Sequence, residues 1–228
     1  MIKKLNWDSD FFGYAVGQFE IDNFADINKE VLFQEAKDFR LVYILTTREI
    51  NDNLEGIKLV DIQTTLTKEL LDTREFSELN LTEYLSDKKD QQLNDLAIQS
   101  GAYSRFKTDT NFINNEFQRL YLQWIKDSIK RILADSVIVY KKNGDCHGFV
   151  TVKYKQDYAE IGLIAVHEQS RGKGIGQELI TYASNLARDK GLDRVVVKTQ
   201  WENNIAINLY KKSGFKITAK KYIYHLWN

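Results

Sequence analysis

The sequence predicts an α/β protein, a sheet covered by helices, on three observations. Apolar residues recur at helical spacing over Asn115 to Leu133 and again behind Gly176. Short β-branched runs such as Val137-Ile138-Val139-Tyr140 and Val195-Val196-Val197 alternate with those helices. Asn143-Gly144-Asp145 joins two such runs as a hairpin, because Asn-Gly tolerates positive φ. Helices and strands in alternation imply a sheet with helices on its faces.

Taken in order, Ala25 to Phe39 predicts an amphipathic helix with Ile27, Val31, Leu32, Ala36 and Phe39 on one face. Leu41-Val42-Tyr43-Ile44-Leu45 reads as a buried strand, and Lys58 to Leu66 as a second one beyond Gly56. The stretch from Leu70 to Asp90 is polar, with a short strand expected around Leu79 to Leu85, and a domain boundary is placed near Asp72. The helix over Asn115–Leu133 carries Phe117, Leu120, Tyr121, Trp124, Ile125, Ile129 and Leu133 along one face. After the hairpin, the strand Ala159 to Val166 runs into Arg171-Gly172-Lys173-Gly174-Ile175-Gly176. A helix then extends to Arg188, with Gly191 placed to end it. The strand Arg194–Lys198, a short helix over Ile205–Lys212 and a last strand from Phe215 complete the order.

Composition narrows the function. Of the 228 residues, 32 are Lys or Arg and 32 are Asp or Glu, so bulk charge does not recruit nucleic acid or an anionic membrane. Net neutrality also favours self-association, which leaves a homodimer open. Proline is absent, which excludes polyproline arms and proline-rich linkers. The single cysteine, Cys146, forms no internal disulfide, and its position beside a hairpin turn argues against a nucleophile. His147, His167 and His225 show no metal-ligand spacing, so no metal is expected. The basic start Met1-Ile2-Lys3-Lys4 has no apolar stretch behind it and no run approaches membrane-helix length, so a soluble, cytoplasmic protein is expected.

Four of the 12 glycines fall between Gly162 and Gly176. Alternating glycines between a strand and a helix let successive backbone N–H groups face one anion, and the helix N terminus adds partial positive charge. Arg171 and Lys173 add full charges there. A tight strand-to-helix connection is the plainer reading of the same glycines. No Gly-Lys-Ser/Thr follows, which excludes a Walker loop, and the spacing is wrong for a dinucleotide fingerprint.

Gln169-Ser170-Arg171-Gly172-Lys173-Gly174 resembles the Q/R-x-x-G-x-G/A acyl-CoA signature of the GCN5-related N-acetyltransferase (GNAT) superfamily. Asn203 to Phe215 is similar to that family's N-x-x-A-x-x-L-Y-x-x-x-G-F stretch. Glu168 departs from the proline many relatives carry there. The resemblance implies the GNAT acyl-CoA N-acyltransferase fold, a mixed, splayed central sheet with flanking helices, and acetyl-CoA as co-substrate. Leu5 to Gly13, Ser104-Arg105-Phe106, Leu120 to Ile125, Thr199-Gln200 and Tyr222-Ile223-Tyr224 are similar to dTDP-fucosamine acetyltransferases within that superfamily. That likeness implies a nucleotide-linked amino sugar as acceptor. It also implies two domains, a small N-terminal α/β substrate-side region over 1–72 and the acetyltransferase domain over 73–228.

The resemblance further implies roles. Backbone contacts to the pantetheine arm fall near Leu163, Ile164 and Val166, and the pyrophosphate falls on Arg171, Gly172, Lys173, Gly174, Ile175 and Gly176. Asn203 would face the cofactor arm, although Asn is also a favoured N-cap. Tyr210 matches the residue that protonates the leaving thiolate, with a core tyrosine as the plainer reading. Holding an amine of pKa about 10.4 neutral at pH 7 costs about 4.6 kcal/mol, so a base is useful. Asp61 matches that position and Glu160 is the runner-up; either is also an ordinary strand carboxylate. Arg105 would pair with substrate phosphate, and Tyr121 and Phe12 would stack on a base or sugar, although surface ion pairs and core packing explain such residues equally well. A peptide, polyamine or other small amine as acceptor, and a non-catalytic acyl-CoA-binding module, stand as alternatives.

Overall fold

A computed structural model of the chain describes residues 1–24, 28–50, 55–70, 80–86 and 90–228. The chain divides into two compact units. One comprises Met1–Thr64, Gln200–Glu202 and Ala219–Asn228, and the other Thr65–Thr199 and Asn203–Thr218.

In the first unit, β1 (Lys3–Lys4) leads into α1 (Asn6–Phe12), β2 (Val16–Ile21), α2 (Lys29–Ala36) and β3 (Leu41–Thr46). The opening part of β4 (Ile57–Glu69) and most of β10 (Lys216–Trp227) also belong to it. β1 pairs antiparallel with β2, β2 runs parallel to β3, and β3 pairs antiparallel with β10. A parallel pair needs a crossover, and α2 supplies it. Asn28 starts α2, its Oδ1 accepting from the amides of Glu30 and Val31. That cap sets the helix start inside the expected span of Ala25 to Phe39, whose residues 25–27 lie outside the described residues. Leu32 and Ala36 then pack against Val42, Ile44, Tyr224 and Leu226.

α1 closes on Gly13, whose φ of 79° only glycine adopts cheaply. Its Ser9 hydroxyl donates to Leu5 O at 2.6 Å and accepts from the Val16 amide at 3.0 Å, tying the helix to β2. Neither α1 nor β2 stands out in the sequence, because both are short and half apolar.

The second unit begins its own strands at β5 (Leu81–Glu83), followed by α3 (Gln91–Ser100), α4 (Arg105–Thr108) and α5 (Glu116–Ile129). Then come β6 (Ser136–Lys142), β7 (Asp145–Tyr154) and β8 (Ala159–Val166). A 3₁₀ turn over Glu168–Ser170 precedes α6 (Ile175–Asp189), β9 (Arg194–Gln200) and α7 (Asn204–Lys212). Strands β5 to β8 pair antiparallel in sequence order, and β9 joins β8 in parallel. The hairpin of β6 and β7 turns at Asn143 (φ 54°) and Gly144 (φ 91°), as the Asn-Gly pair predicts.

Helices cover both faces of this sheet. On one face Leu179, Ile180, Ala183 and Ala187 of α6 meet Ile138, Val150, Val152, Ile161, Val195 and Val197. On the other, Leu93, Leu96 and Ala97 of α3 and Ile125 of α5 meet Val137, Val139 and Phe149. Each fully buried Leu or Ile contributes about 1.5–3 kcal/mol through removal of apolar surface from water.

Two expectations differ from the structure. α5 stops at Ile129 rather than Leu133, because Arg131 turns left-handed (φ 63°) and the Ile132 amide bonds back to Asp127 O. Ile132 and Leu133 are left exposed. The expected strand around Leu79 to Leu85 is Leu81–Glu83, with Leu79 outside the described residues. The boundary placed near Asp72, which gave 1–72 and 73–228, also falls outside them. The compact units divide at Thr64 and Thr65, and the first includes Ala219–Asn228. Pairing of β10 with β3 is non-local, and a linear reading of composition carries no trace of it.

Candidate active site

β8 is where the sheet opens. Among the described residues it pairs with β9 only over Ala159–Ile161, against Val195–Val197, and the stretch Leu163–Val166 continues along β7 alone. The opposing N–H and C=O groups of that stretch face an edge which another extended chain can fill, as sheet edges do. The β7/β8 register shifts at the same place, between Val150 and Val152.

The turn after β8 is shaped by its glycines. Gly172 (φ 76°) and Gly174 (φ 83°) both take the left-handed conformation. Gly174 is the N-cap of α6, so the first amides of the helix point outward without intrahelical acceptors. A side chain at either glycine would meet open space, so it is the backbone angle that selects them. Arg171 Nε donates to Val166 O at 3.1 Å and Lys173 Nζ to Gln169 O at 3.0 Å, which holds both cations on the loop. The turn is braced from β7: His147 Nδ1 lies 2.8 Å from the Ser170 hydroxyl, and the His167 amide donates to His147 O.

A cavity of about 690 Å³ joins these parts. Its walls are Ile164, Ala165 and Val166 of β8, the loop from Ser170 to Gln177 without Lys173, and Asn203, Ile205, Ala206, Leu209, Tyr210 and Lys212 around α7. Gln99, Ser100, Ala102 and Tyr103, at the end of α3 and just beyond it, close the remaining side. The volume suits a ligand of cofactor size.

Tyr210 is 2% exposed and packs its ring 5.6 Å from that of Phe215. Burial raises its phenol well above the ordinary value of 10.0, so the hydroxyl keeps its proton at neutral pH. Asn203 caps α7, its Oδ1 accepting from the Ala206 amide at 3.1 Å, while it also lines the cavity. The structure thus shows the N-cap role of Asn203 and its place on the cavity wall.

Among the residues the sequence singles out, the cavity gathers Ile164, Val166, Arg171, Gly172, Gly174, Ile175, Gly176, Asn203 and Tyr210. Leu163 instead turns its side chain to the core cluster of Val137, Val139 and Phe149. Glu160 sits at the start of β8 in an ion pair, accepting from Lys198 Nζ at 3.0 Å with Lys155 Nζ at 3.9 Å, and does not line the cavity. Arg105 lays its guanidinium 4.5 Å from the centre of the Phe106 ring. Tyr121 is 6% exposed and packs with Phe117 and Trp124, as a core aromatic does. Asp61 (8% exposed, on β4) and Phe12 (9%, between Phe11 and Tyr14) belong to the first unit, whereas every lining residue belongs to the second. Cys146 is buried and its thiol is pushed up to about 11, chiefly by desolvation, which suits a packing role.

Gln99 and Ser100 are not among the residues singled out in the sequence, because α3 is not among its expected helices. The signal was present: Asp90 as N-cap, with its carboxylate accepting from the Leu93 amide, and Leu93, Leu96 and Ala97 at helical spacing.

The fold and cavity define a class: an α/β protein whose sheet opens beside a glycine turn, with a cavity along the opened strand. Residues 101–215 match the acetyltransferase (GNAT) family, and the chain belongs to it. Among curated relatives, the dTDP-fucosamine acetyltransferase of Escherichia coli O6:H1 is 30% identical over 132 residues, covering 57% of this chain and 56% of that one. The chain therefore spans about half the length of that relative. Among solved structures, a conserved protein of unknown function from Staphylococcus epidermidis superposes with a TM-score of 0.60 at 16% identity. That superposition covers 94% of this chain and 84% of the other. The PaiA N-acetyltransferase of Thermoplasma acidophilum, solved with coenzyme A, gives 0.52 at 17% identity over 66% of this chain and all of that one. Both share the fold.

Proposed function

We infer that the protein transfers an acetyl group from acetyl-CoA to the amine of a nucleotide-linked amino sugar, by direct attack within a ternary complex. The observation that carries the transferase reading is the cavity in which the open β8 edge, the Gly172–Gly176 turn and Tyr210 meet. The residues fit acetyl-CoA: left-handed glycines leave the backbone amides clear for a pyrophosphate, and Arg171 stands beside them. Acetyl-CoA brings the acyl group already activated as a thioester.

Each residue then has a task. The amides of the β8 edge hold the pantetheine arm in register and polarise the acyl carbonyl. As the amine nitrogen forms its bond to the acyl carbon and the carbon–sulfur bond breaks, Tyr210 gives its proton to the departing thiolate. Its raised pKa keeps that proton available across neutral pH. Asp61 is our assignment for the base that takes the amine proton, since Glu160 is engaged by Lys198. Cys146 takes no part, so no acyl-enzyme forms.

The sugar acceptor rests on the 30% identity with the dTDP-fucosamine acetyltransferase. Its test is a panel of dTDP-linked 4-amino-4,6-dideoxyhexoses, peptides and polyamines assayed for acetylation, with thymidine diphosphate as competitor. Acetylation of a dTDP-amino sugar, inhibited by thymidine diphosphate, supports the acceptor class. Turnover confined to peptides or polyamines would replace it.

A further inference from the structure

Where the sheet opens, one hydroxyl sits at a break in the strand register. Between Val150 and Val152 β7 advances two positions, while β8 advances three, from Ile164 to Ile161. The extra residue is a β-bulge on β8 at Gly162 and Leu163, opposite Thr151. A bulge leaves one amide without its ladder partner. Here the Leu163 amide donates to the Thr151 hydroxyl at 2.8 Å, so a side chain replaces the missing carbonyl.

Gly162 is fitted to the same hydroxyl. A Cβ at Gly162 would stand 2.9 Å from Thr151 Oγ1, closer than side chains pack, so glycine is what lets the hydroxyl occupy the bulge. Thr151 itself is 2% exposed, which fixes its rotamer by packing.

The bulge changes the phase of the strand. Ala159 and Ile161 face the cluster under α6, and strict alternation would put Leu163 there too. Instead Leu163 and Ala165 face the α3 and α5 side, while Ile164 and Val166 return to the α6 side and line the cavity. One residue of slip inverts every side chain and every backbone group beyond it. The phase after Gly162 therefore decides which amides and carbonyls face the edge that β9 has left at Ile161.

We propose that Thr151 is a positioning residue for the acyl-CoA arm: its hydroxyl pins the bulge and so sets the register in which the Leu163–Val166 edge meets its ligand. This rests on the acyl-CoA reading above. Thr151 does not line the cavity and acts through the backbone of β8.

Calorimetric titration of coenzyme A into the full-length native protein, Thr151→Val, Thr151→Ser and Gly162→Ala tests it. Amide exchange at Leu163 and the KM for acetyl-CoA against kcat are measured alongside. Thr151→Val keeps the shape and loses the acceptor, so Leu163 exchange accelerates and coenzyme A affinity falls about tenfold. The rise appears in KM more than in kcat, and Thr151→Ser, which keeps the hydroxyl, restores affinity. Gly162→Ala displaces the hydroxyl from the other side and weakens binding likewise; it serves if Thr151→Val fails to fold. Native affinity in a folded Thr151→Val or in Gly162→Ala overturns the role of Thr151 alone. A native protein that binds no coenzyme A overturns the acyl-CoA reading and this one with it.

Discussion

Gly176 and Leu209 meet where α6 and α7 close on the cavity: a Cβ on Gly176 would lie 3.0 Å from Leu209 Cδ2. Both residues line the cavity, so the contact that sets helix spacing also shapes the ligand's wall. Gly176→Ala gains helix propensity of up to about 1 kcal/mol and spends part of it moving Leu209 by a few tenths of an ångström. The expected outcome is a thermal midpoint close to native with weakened coenzyme A binding. Calorimetry beside a melting curve checks both.

Gly174→Ala behaves differently. Its φ of 83° is left-handed and a Cβ there meets open space, so the cost is backbone strain of about 1–2 kcal/mol without a clash. Stability and coenzyme A affinity fall together, read by denaturant unfolding and by titration. A variant with native stability would show that the turn relaxes freely.

Tyr210→Phe removes one oxygen from a residue that is 2% exposed and packed on Phe215. The fold and coenzyme A affinity are expected to persist, while kcat drops by about 10²–10⁴, the range for loss of a general acid. Stopped-flow release of the thiol, set against the titration, separates the two effects.

Titration of buried groups gives the alkaline behaviour. Burial raises Cys146 from 9.0 to about 11 and raises Tyr210 above 10.0. In the unfolded chain both lose their protons first, so their stabilising contribution is complete below pH 9 and is lost as pH climbs through that window. Unfolding free energy should therefore fall above pH 9, and Cys146→Ala should remove the part that sets in between pH 9 and 11. At pH 8 the native thiol should resist iodoacetamide, while the denatured thiol reacts.

The base assignment is tested by Asp61→Asn against Glu160→Gln. With Asp61 as base, its variant loses kcat by about 10²-fold or more and recovers part of the loss at higher pH, where the amine deprotonates unaided. Glu160→Gln removes an ion pair with Lys198 and is expected to shift stability by less than about 1 kcal/mol. A pH–rate profile of each variant decides which carboxylate the reaction uses.

Much of this could be read from residues because local chemistry dictated it. Asn143-Gly144 must turn, Gly172 and Gly174 must take left-handed angles, and the apolar stripe of α6 must face a sheet. The glycine turn and Tyr210 both line the cavity, and each motif lies within one βα turn or one short helix, where local spacing carries it. What stayed hidden depends on distant parts of the chain. The bulge at Gly162 needs Thr151 on the neighbouring strand, and β10 needs β3, some hundred and eighty residues earlier by register of Trp227 with Leu41. Arg105 and Tyr121 look like ligand contacts in one dimension, yet neither lines the cavity; Arg105 lies over the Phe106 ring and Tyr121 packs against Phe117 and Trp124.

The most direct test of the account is release of free thiol from acetyl-CoA with dTDP-4-amino-4,6-dideoxygalactose as acceptor, for the native protein and Tyr210→Phe, with coenzyme A binding measured on both. Turnover by the native protein, its collapse in Tyr210→Phe, and equal coenzyme A affinity in the two are expected. Native protein that releases no thiol with this sugar or with any other amine, or a Tyr210→Phe variant that turns over at the native rate, would contradict it.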